Sequence, residues 1–271
     1  MTTMTKTKIR FDISAVLLPA AGALLLLALW AATSGTVSKN LPSPAKTWEV
    51  SRPFVVAPFE KRGELDQGVA RFAWYSLILV AKGYAIALLL GAPLGFILGW
   101  SKLFAKSFDP IIQVLRPVSP LAWLPLGLVL FQKSHPAALF TIAVCSMWPT
   151  VLNTALGVRN IPKEYLNVAR VLQLGPWKRV TKIIIPSALP LIFTGLRISL
   201  SVGWMVLIAA EMLSQNPGLG KFVWDMFQNG SSKTLAMIVF AVFTIGIVGF
   251  ALDRLMVALQ RMVSYDLALA N

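Results

Sequence analysis

The sequence predicts an all-α integral membrane protein: six transmembrane helices, N-in and C-in, with a short cytoplasmic helix between the fourth and fifth spans. Three observations predict it. Hydrophobic residues make up 56% of the chain and charged residues 13%, roughly half the charged share of about 25% typical of a water-covered domain. Six apolar segments each reach the ~20 residues of a membrane crossing. The 25 lysines and arginines fall mostly between those segments. A net charge of +14 would suit nucleic acid if the cations were clustered on one surface. Interleaved with apolar runs, they instead set topology, and nucleic acid is excluded as a partner.

Residues 1–12 form a cytoplasmic N-terminus with Lys6, Lys8 and Arg10. The uncharged run at 13–33 is longer than a signal peptide's apolar region and reads as a retained first helix. The loop 34–75 is extracytoplasmic, with Pro42, Pro44, Pro53 and Pro58 and one short interfacial helix near 44–50. Its aromatics, among them Trp48 and Trp74, suit a membrane-interface belt. A five-helix core follows over 76–260, with spans at about 76–101, 111–131, 137–157, 188–210 and 234–253. Residues 261–271 are a cytoplasmic tail. Pro117, Pro120 and Pro125 predict that the 111–131 span is kinked or broken, since each removes a backbone donor.

Orientation follows from the basic residues. With the N-terminus inside, the segments 1–12, 102–110, 158–186 and 254–271 carry 13 of them. The short outer loops carry only Lys133, Lys221 and Lys233. Six more lie in the long 34–75 loop, which weighs little in topology.

Within the second span, Gly91, Gly95 and Gly99 recur every four residues and lie on one helix face. They form a close-contact seam, either between copies or within one bundle. The single cysteine, Cys145, lies in an apolar run and reads as a small buried residue. His135, the one histidine, reads as a solvated loop residue. There is no metal-ligand cluster, no nucleophile motif and no glycine-rich loop ending in Lys-Ser or Lys-Thr to hold nucleotide phosphates. The chain is not an enzyme by itself and carries no cofactor.

The loop 158–186 is the most informative stretch. Pro162 suits the first helical position and Glu164 the first turn, where a negative charge meets the helix dipole. Tyr165, Val168, Ala169 and Leu172 recur at three- and four-residue steps and make one apolar face. Gly175-Pro176 ends the helix. Such an amphipathic helix either lies in the lipid interface or docks in a groove on a soluble partner.

From Glu164 to Pro190 the chain resembles the signature loop of permease subunits of type I, binding-protein-dependent ATP-binding-cassette (ABC) importers. The matching residues are Glu164, Ala169 and Ile183-Ile184-Ile185-Pro186-Ser187-Ala188-Leu189-Pro190. Gly195-Leu196-Arg197 follows, as in the nitrate, sulfonate, taurine and bicarbonate branch. Pro120-Leu121-Ala122-Trp123-Leu124-Pro125-Leu126, Ala210-Glu211-Met212 and Gly218-Leu219-Gly220 also match in order, so the resemblance covers about 75–260. Asn167 to Leu172 and Leu252 to Met256 are most similar to the nitrate-type permease.

The resemblance implies that Pro162, Glu164, Tyr165, Val168, Ala169, Leu172, Gln173 and Gly175 form a coupling element received by two separate ATPase subunits. Those subunits would bind ATP and Mg. Two copies of this chain would form the pathway, in the cell inner membrane. An extracytoplasmic substrate-binding protein would deliver a small anion, with nitrate first and bicarbonate, cyanate, taurine or alkanesulfonate as alternatives. ATP-driven closure of the ATPases would open the path outward, and hydrolysis would reset it. One departure stands out: the signature's glycine falls at Gln173, with a glycine two residues later, so the turn is expected to shift toward Gly175.

Lys82, Arg116 and Arg197 fall in or near spans, where a basic residue costs roughly 3 kcal/mol at mid-membrane. With Trp123 and Glu211 they are the candidates for a translocation pathway. The alternative is that the cations snorkel to an interface or bind carbonyls freed by prolines. Glu211 and Asp253 end their spans and are expected at the interface. A stand-alone secondary anion transporter would require internal pseudo-symmetry, and a membrane enzyme would require converging catalytic side chains. The sequence offers neither.

Overall fold

The computed structural model describes residues 14–36, 41–61, 63, 67–230 and 233–269. Apart from one isolated bridge between Lys61 and Gln67, the regular structure there is helical. In chain order the helices are α1 (Ser14–Thr36), α2 (Pro44–Val56), α3 (Val69–Trp100), α4 (Lys102–Leu115), α5 (Pro120–Phe131) and α6 (Ser134–Arg159). Then come α7 (Lys163–Val171), α8 (Pro176–Arg179), a π-helical turn (Val180–Ile184), α9 (Ile185–Ser214), α10 (Leu219–Asn229) and α11 (Thr234–Leu269). Five runs are long and apolar enough to cross a membrane: in α1, α3, α6, the continuous α8–α9 rod and α11. Counting α4 and α5 as one bent span makes six.

That pair corrects the expected 111–131 span. The segment is two helices at 98° to each other, and α4 begins at Lys102, inside what the sequence suggested was a loop. Prolines explain the break. Pro117 and Pro120 have no N–H to continue α4. Ser119 restarts the chain by accepting a hydrogen bond from the Leu121 N–H at 3.2 Å, with Pro120 in the first turn. The fifth span is also longer than 188–210. Pro186 cannot give an N–H to the carbonyl one turn back, and the backbone widens into the π turn just before it, with the Ile185 N–H reaching the Val180 carbonyl.

The core centres on α6, which is sandwiched between α3 and α9. The glycine seam of α3 faces α6 of the same chain. A Cβ at Gly95 would stand 2.5 Å from the Val151 carbonyl oxygen, and one at Gly91 would stand 3.1 Å from that of Met147. The sequence left open whether this seam joins copies or helices of one bundle, and here it joins helices of one bundle. Hydroxyls join α6 to α9. Ser199 donates to the Ser146 carbonyl, so the 2.6 Å contact between Thr150 and Ser199 has Thr150 as donor.

By contrast α1 is apolar all round and barely touched by protein; Leu18 is 71% exposed and Leu26 68%. Such a helix is stable where lipid surrounds it. Its far end is held by Trp30, whose indole N–H donates to the Pro42 carbonyl at 3.0 Å. Next to it, α2 starts at Ser43, whose hydroxyl accepts from the Lys46 N–H, and runs beyond the expected 44–50 along α11.

Candidate functional site

Two parts of the bundle hold the candidate residues: the connector between α6 and α9, and the polar positions inside and between the long helices.

The connector is built from its anchor upward. Arg159, in the last turn of α6, donates from Nε and Nη2 to the Leu98 carbonyl at 3.4 and 3.1 Å and lies 3.5 Å from Asp109. Leu98 is two residues from the end of α3, where carbonyls lack helical partners. The arginine therefore ties the ends of α6 and α3 to the middle of α4. Pro162, expected at the first helical position, sits one residue earlier, as the extended N-cap. Glu164 occupies the first turn.

The expected apolar face divides in two. Ala169 is 2% exposed and turns inward, with Leu166 half-buried beside it. Tyr165, Val168 and Leu172 turn outward, 52%, 51% and 63% exposed. Val171, absent from the sequence reading, joins them at 82%. The correction follows from helix geometry: at 100° per residue, positions 165, 168, 171 and 172 fall within one sector and 166 and 169 beside it. The outward sector is an apolar patch that no described residue covers, and Trp177, the second residue of α8, is 77% exposed.

The helix end corrects a second expectation. The turn has not moved to Gly175. Gln173 itself adopts a left-handed φ of 46°. Its N–H reaches the Arg170 carbonyl, and the Leu174 N–H reaches the Ala169 carbonyl, both at 3.0 Å. These are the two bonds of a Schellman cap, with glutamine where glycine is usual. Gly175 has an ordinary φ of −56° and opens α8 ahead of Pro176.

The five pathway candidates are dispersed, with no recorded hydrogen bond or ion pair between any two of them. Lys82 is exposed on α3, and Arg116 is exposed at the end of α4. Trp123 packs edge-on against Phe140, 6.1 Å between ring centres. Arg197 makes a two-point ion pair with Asp253 on α11, at 2.5 and 3.0 Å. Asp253 also accepts from Arg254 at 2.7 Å. This pair lines a groove of about 470 Å³ along α9, with Thr194, Ser201 and Met205.

Glu211 is not at an interface but fully enclosed, with 0% exposure. Its carboxylate accepts from the Ser76 hydroxyl at 2.8 Å and from the Gly220 N–H at 2.8 Å. Ser76 in turn accepts from the Leu219 N–H at 3.0 Å. Gly218 is required by close approach, because a Cβ there would lie 2.1 Å from a Glu211 oxygen. Thus Ala210-Glu211-Met212 and Gly218-Leu219-Gly220, two separate sequence motifs, form one latch joining α3, α9 and α10. Ser76 was missed, since nothing local marks a serine that binds 135 residues away. No group of three or more His, Cys, Asp or Glu able to hold a metal occurs among the described residues.

Comparisons with known proteins agree with this geometry. A family model described as "Binding-protein-dependent transport system inner membrane component" matches residues 72–265. The chain is 41% identical over 245 residues to a nitrate import permease protein, NrtB, of Synechococcus elongatus, covering 89% of this chain and 87% of that one. It is 43% identical over 252 residues to a bicarbonate transport system permease protein, CmpB, of Synechocystis, covering 92% and 89%. Among solved structures, a chain of the MetNI methionine ABC transporter in an inward-facing conformation matches with a TM-score of 0.57 at 19% identity, over 70% of this chain and 95% of that one. A chain of an amino acid ABC transporter matches with a TM-score of 0.59 at 17% identity, over 72% and 93%.

Proposed function

The chain belongs to the family of binding-protein-dependent transport system inner membrane components, as a non-catalytic permease subunit of an ABC importer, and from that premise we propose that it carries nitrate inward. Two copies form the path, and two ATPase subunits drive it. A substrate-binding protein delivers the anion outside. The connector end of the bundle faces the cytoplasm, with both termini on that side, in keeping with the 13 basic residues counted there.

The observation that carries the mechanism is the outward patch of α7: Tyr165, Val168, Val171 and Leu172 exposed on a capped helix whose other face is anchored to the bundle. The sequence carries no glycine-rich phosphate loop, so the free energy of ATP has to enter through a physical contact whose strength differs between two states. The patch supplies that contact. ATP-driven closure of the ATPases carries α7 with it, and the rigid connection through Arg159 transmits the movement to α3, α4 and α6. Lys82 and the groove along α9 are the places where an anion meets cationic or hydroxyl groups. Arg197 is neutralised by Asp253 and holds helices together there.

Bicarbonate is the second reading, favoured by the 43% identical relative. Uptake into proteoliposomes bearing the full complex, with ATP inside and the binding protein outside, decides between them. Labelled nitrate accumulates, and a hundredfold excess of bicarbonate leaves uptake unchanged. Accumulation of bicarbonate alone replaces the cargo. Accumulation of neither anion, in a complex that retains its ATPases, refutes the inorganic-anion reading.

A further inference from the structure

A second cavity lies away from the α9 groove. It lies behind the connector, with a volume of about 670 Å³, between the α3–α4 corner, the end of α6 and the inner side of α7. Four cations line it, Lys102, Lys106, Arg159 and Arg179, against one carboxylate, Asp109. Asp109 is already engaged with Arg159. No hydrogen bond or ion pair to Lys102 or Lys106 is made among the described residues. Arg179 lies over the Trp100 ring at 5.7 Å, and its buried Nε has no hydrogen-bond partner. The cavity thus holds a surplus of three positive charges and an unused buried donor. Unpartnered donors of that kind carry a desolvation cost that an anion would remove.

The first residue of α4 is Lys102, so the positive end of that helix's dipole also opens here. Trp100, on the wall of the cavity, is 52% exposed. A cationic hollow beside an exposed tryptophan, at the end of a long apolar helix, has the layout of a membrane interface.

We propose that this cavity binds a phosphate group of net negative charge, the head group of an anionic phospholipid, and that the bound phosphate braces the inner side of α7. Lys102, Lys106 and Arg179 supply the donors. Arginine and lysine suit phosphate by charge and by hydrogen-bond geometry. The acyl chains leave past the exposed face of Trp100. Because Leu166 of α7 and Ile161 line the same space, an occupied cavity holds the connector against the α3–α4 corner. The site does not depend on which anion is transported.

The test uses the full complex, delipidated in detergent. Phosphatidylglycerol, phosphatidylcholine and soluble glycerol phosphate are added separately, and binding is read by native mass spectrometry and by the shift in Tm. Phosphatidylglycerol binds and raises Tm. Lys102→Gln with Lys106→Gln weakens it about 30-fold, from roughly fivefold per removed cation at a membrane surface. Both side chains are exposed and neither forms an ion pair among the described residues, so the variant folds. Asp109→Asn strengthens binding, and Arg261→Gln, a basic position on α11 outside the cavity, leaves it unchanged. Binding of glycerol phosphate with the same dependence on Lys102 and Lys106 keeps the phosphate site and assigns it to a soluble ligand. The proposal is overturned if no phosphate compound binds, or if the double lysine variant binds as the parent does.

Discussion

Gln173→Gly is a substitution whose sign separates two accounts of the connector. Gln173 holds φ 46° at the position that caps α7. A side chain in the left-handed region costs about 1–2 kcal/mol. Glycine removes that strain and returns about 0.5–1 kcal/mol as extra freedom in the unfolded chain. The net expectation is a cap more stable by roughly 0.5–1 kcal/mol, seen locally because α7 is only 9 residues long. Hydrogen exchange reads it directly. Protection of the amides at 173 and 174, which bond to Arg170 and Ala169, rises about two- to fivefold. Gly175→Ala is the paired control. Its φ is −56° and a Cβ there meets nothing within 4 Å, so protection is unchanged or slightly higher. The reasoning is refuted if Gln173→Gly lowers protection, or if Gly175→Ala abolishes it, since the turn would then sit at 175.

Gly95→Ala forces a methyl against the Val151 carbonyl and lowers stability by about 1–3 kcal/mol, measured as a lower Tm in detergent. Gly246→Ala, with open space around it, does not. Ser76→Ala leaves the Leu219 N–H without its acceptor and removes one of the two donors to Glu211, destabilising by about 1–3 kcal/mol; Ser76→Thr, keeping the hydroxyl, recovers part of the loss. A double-mutant cycle on Arg197→Ala and Asp253→Ala gives a coupling near the low end of the ~0.5–3 kcal/mol range. The arginine side chain is 41% exposed and Arg254 remains beside the aspartate.

What the sequence disclosed was local. Long apolar runs marked the crossings, and Pro162, Glu164 and Gly175-Pro176 bracketed the connector helix to within a few residues. The break in 111–131 was legible as three prolines, but its 98° angle was not, because the angle depends on α5 packing across α6. Which way α7 faces was hidden as well. Periodicity finds an apolar sector but does not say that Ala169 belongs to the inner side and Val171 to the outer. The Glu211 latch was read as an interfacial end because burial there comes from α3 and α10, distant in sequence. At Gln173 the residue type argued for a displaced turn, whereas the backbone keeps the turn in place and tolerates the strain.

The central claim is that the outward patch of α7 is where ATPase subunits engage this permease. The direct measurement is the Kd of detergent-solubilised permease for its ATPase subunits, with Val168→Asp and Val171→Asp introduced together. Those side chains expose 51% and 82% of their surface, and burying a valine contributes about 1.5–3 kcal/mol. Scaled by those exposed fractions, losing both contacts removes at least about 2 kcal/mol, a rise in Kd of roughly 30-fold or more. Tm should stay within about 2 °C of the parent, since neither residue is buried. An unchanged Kd in a variant that folds normally would contradict the account.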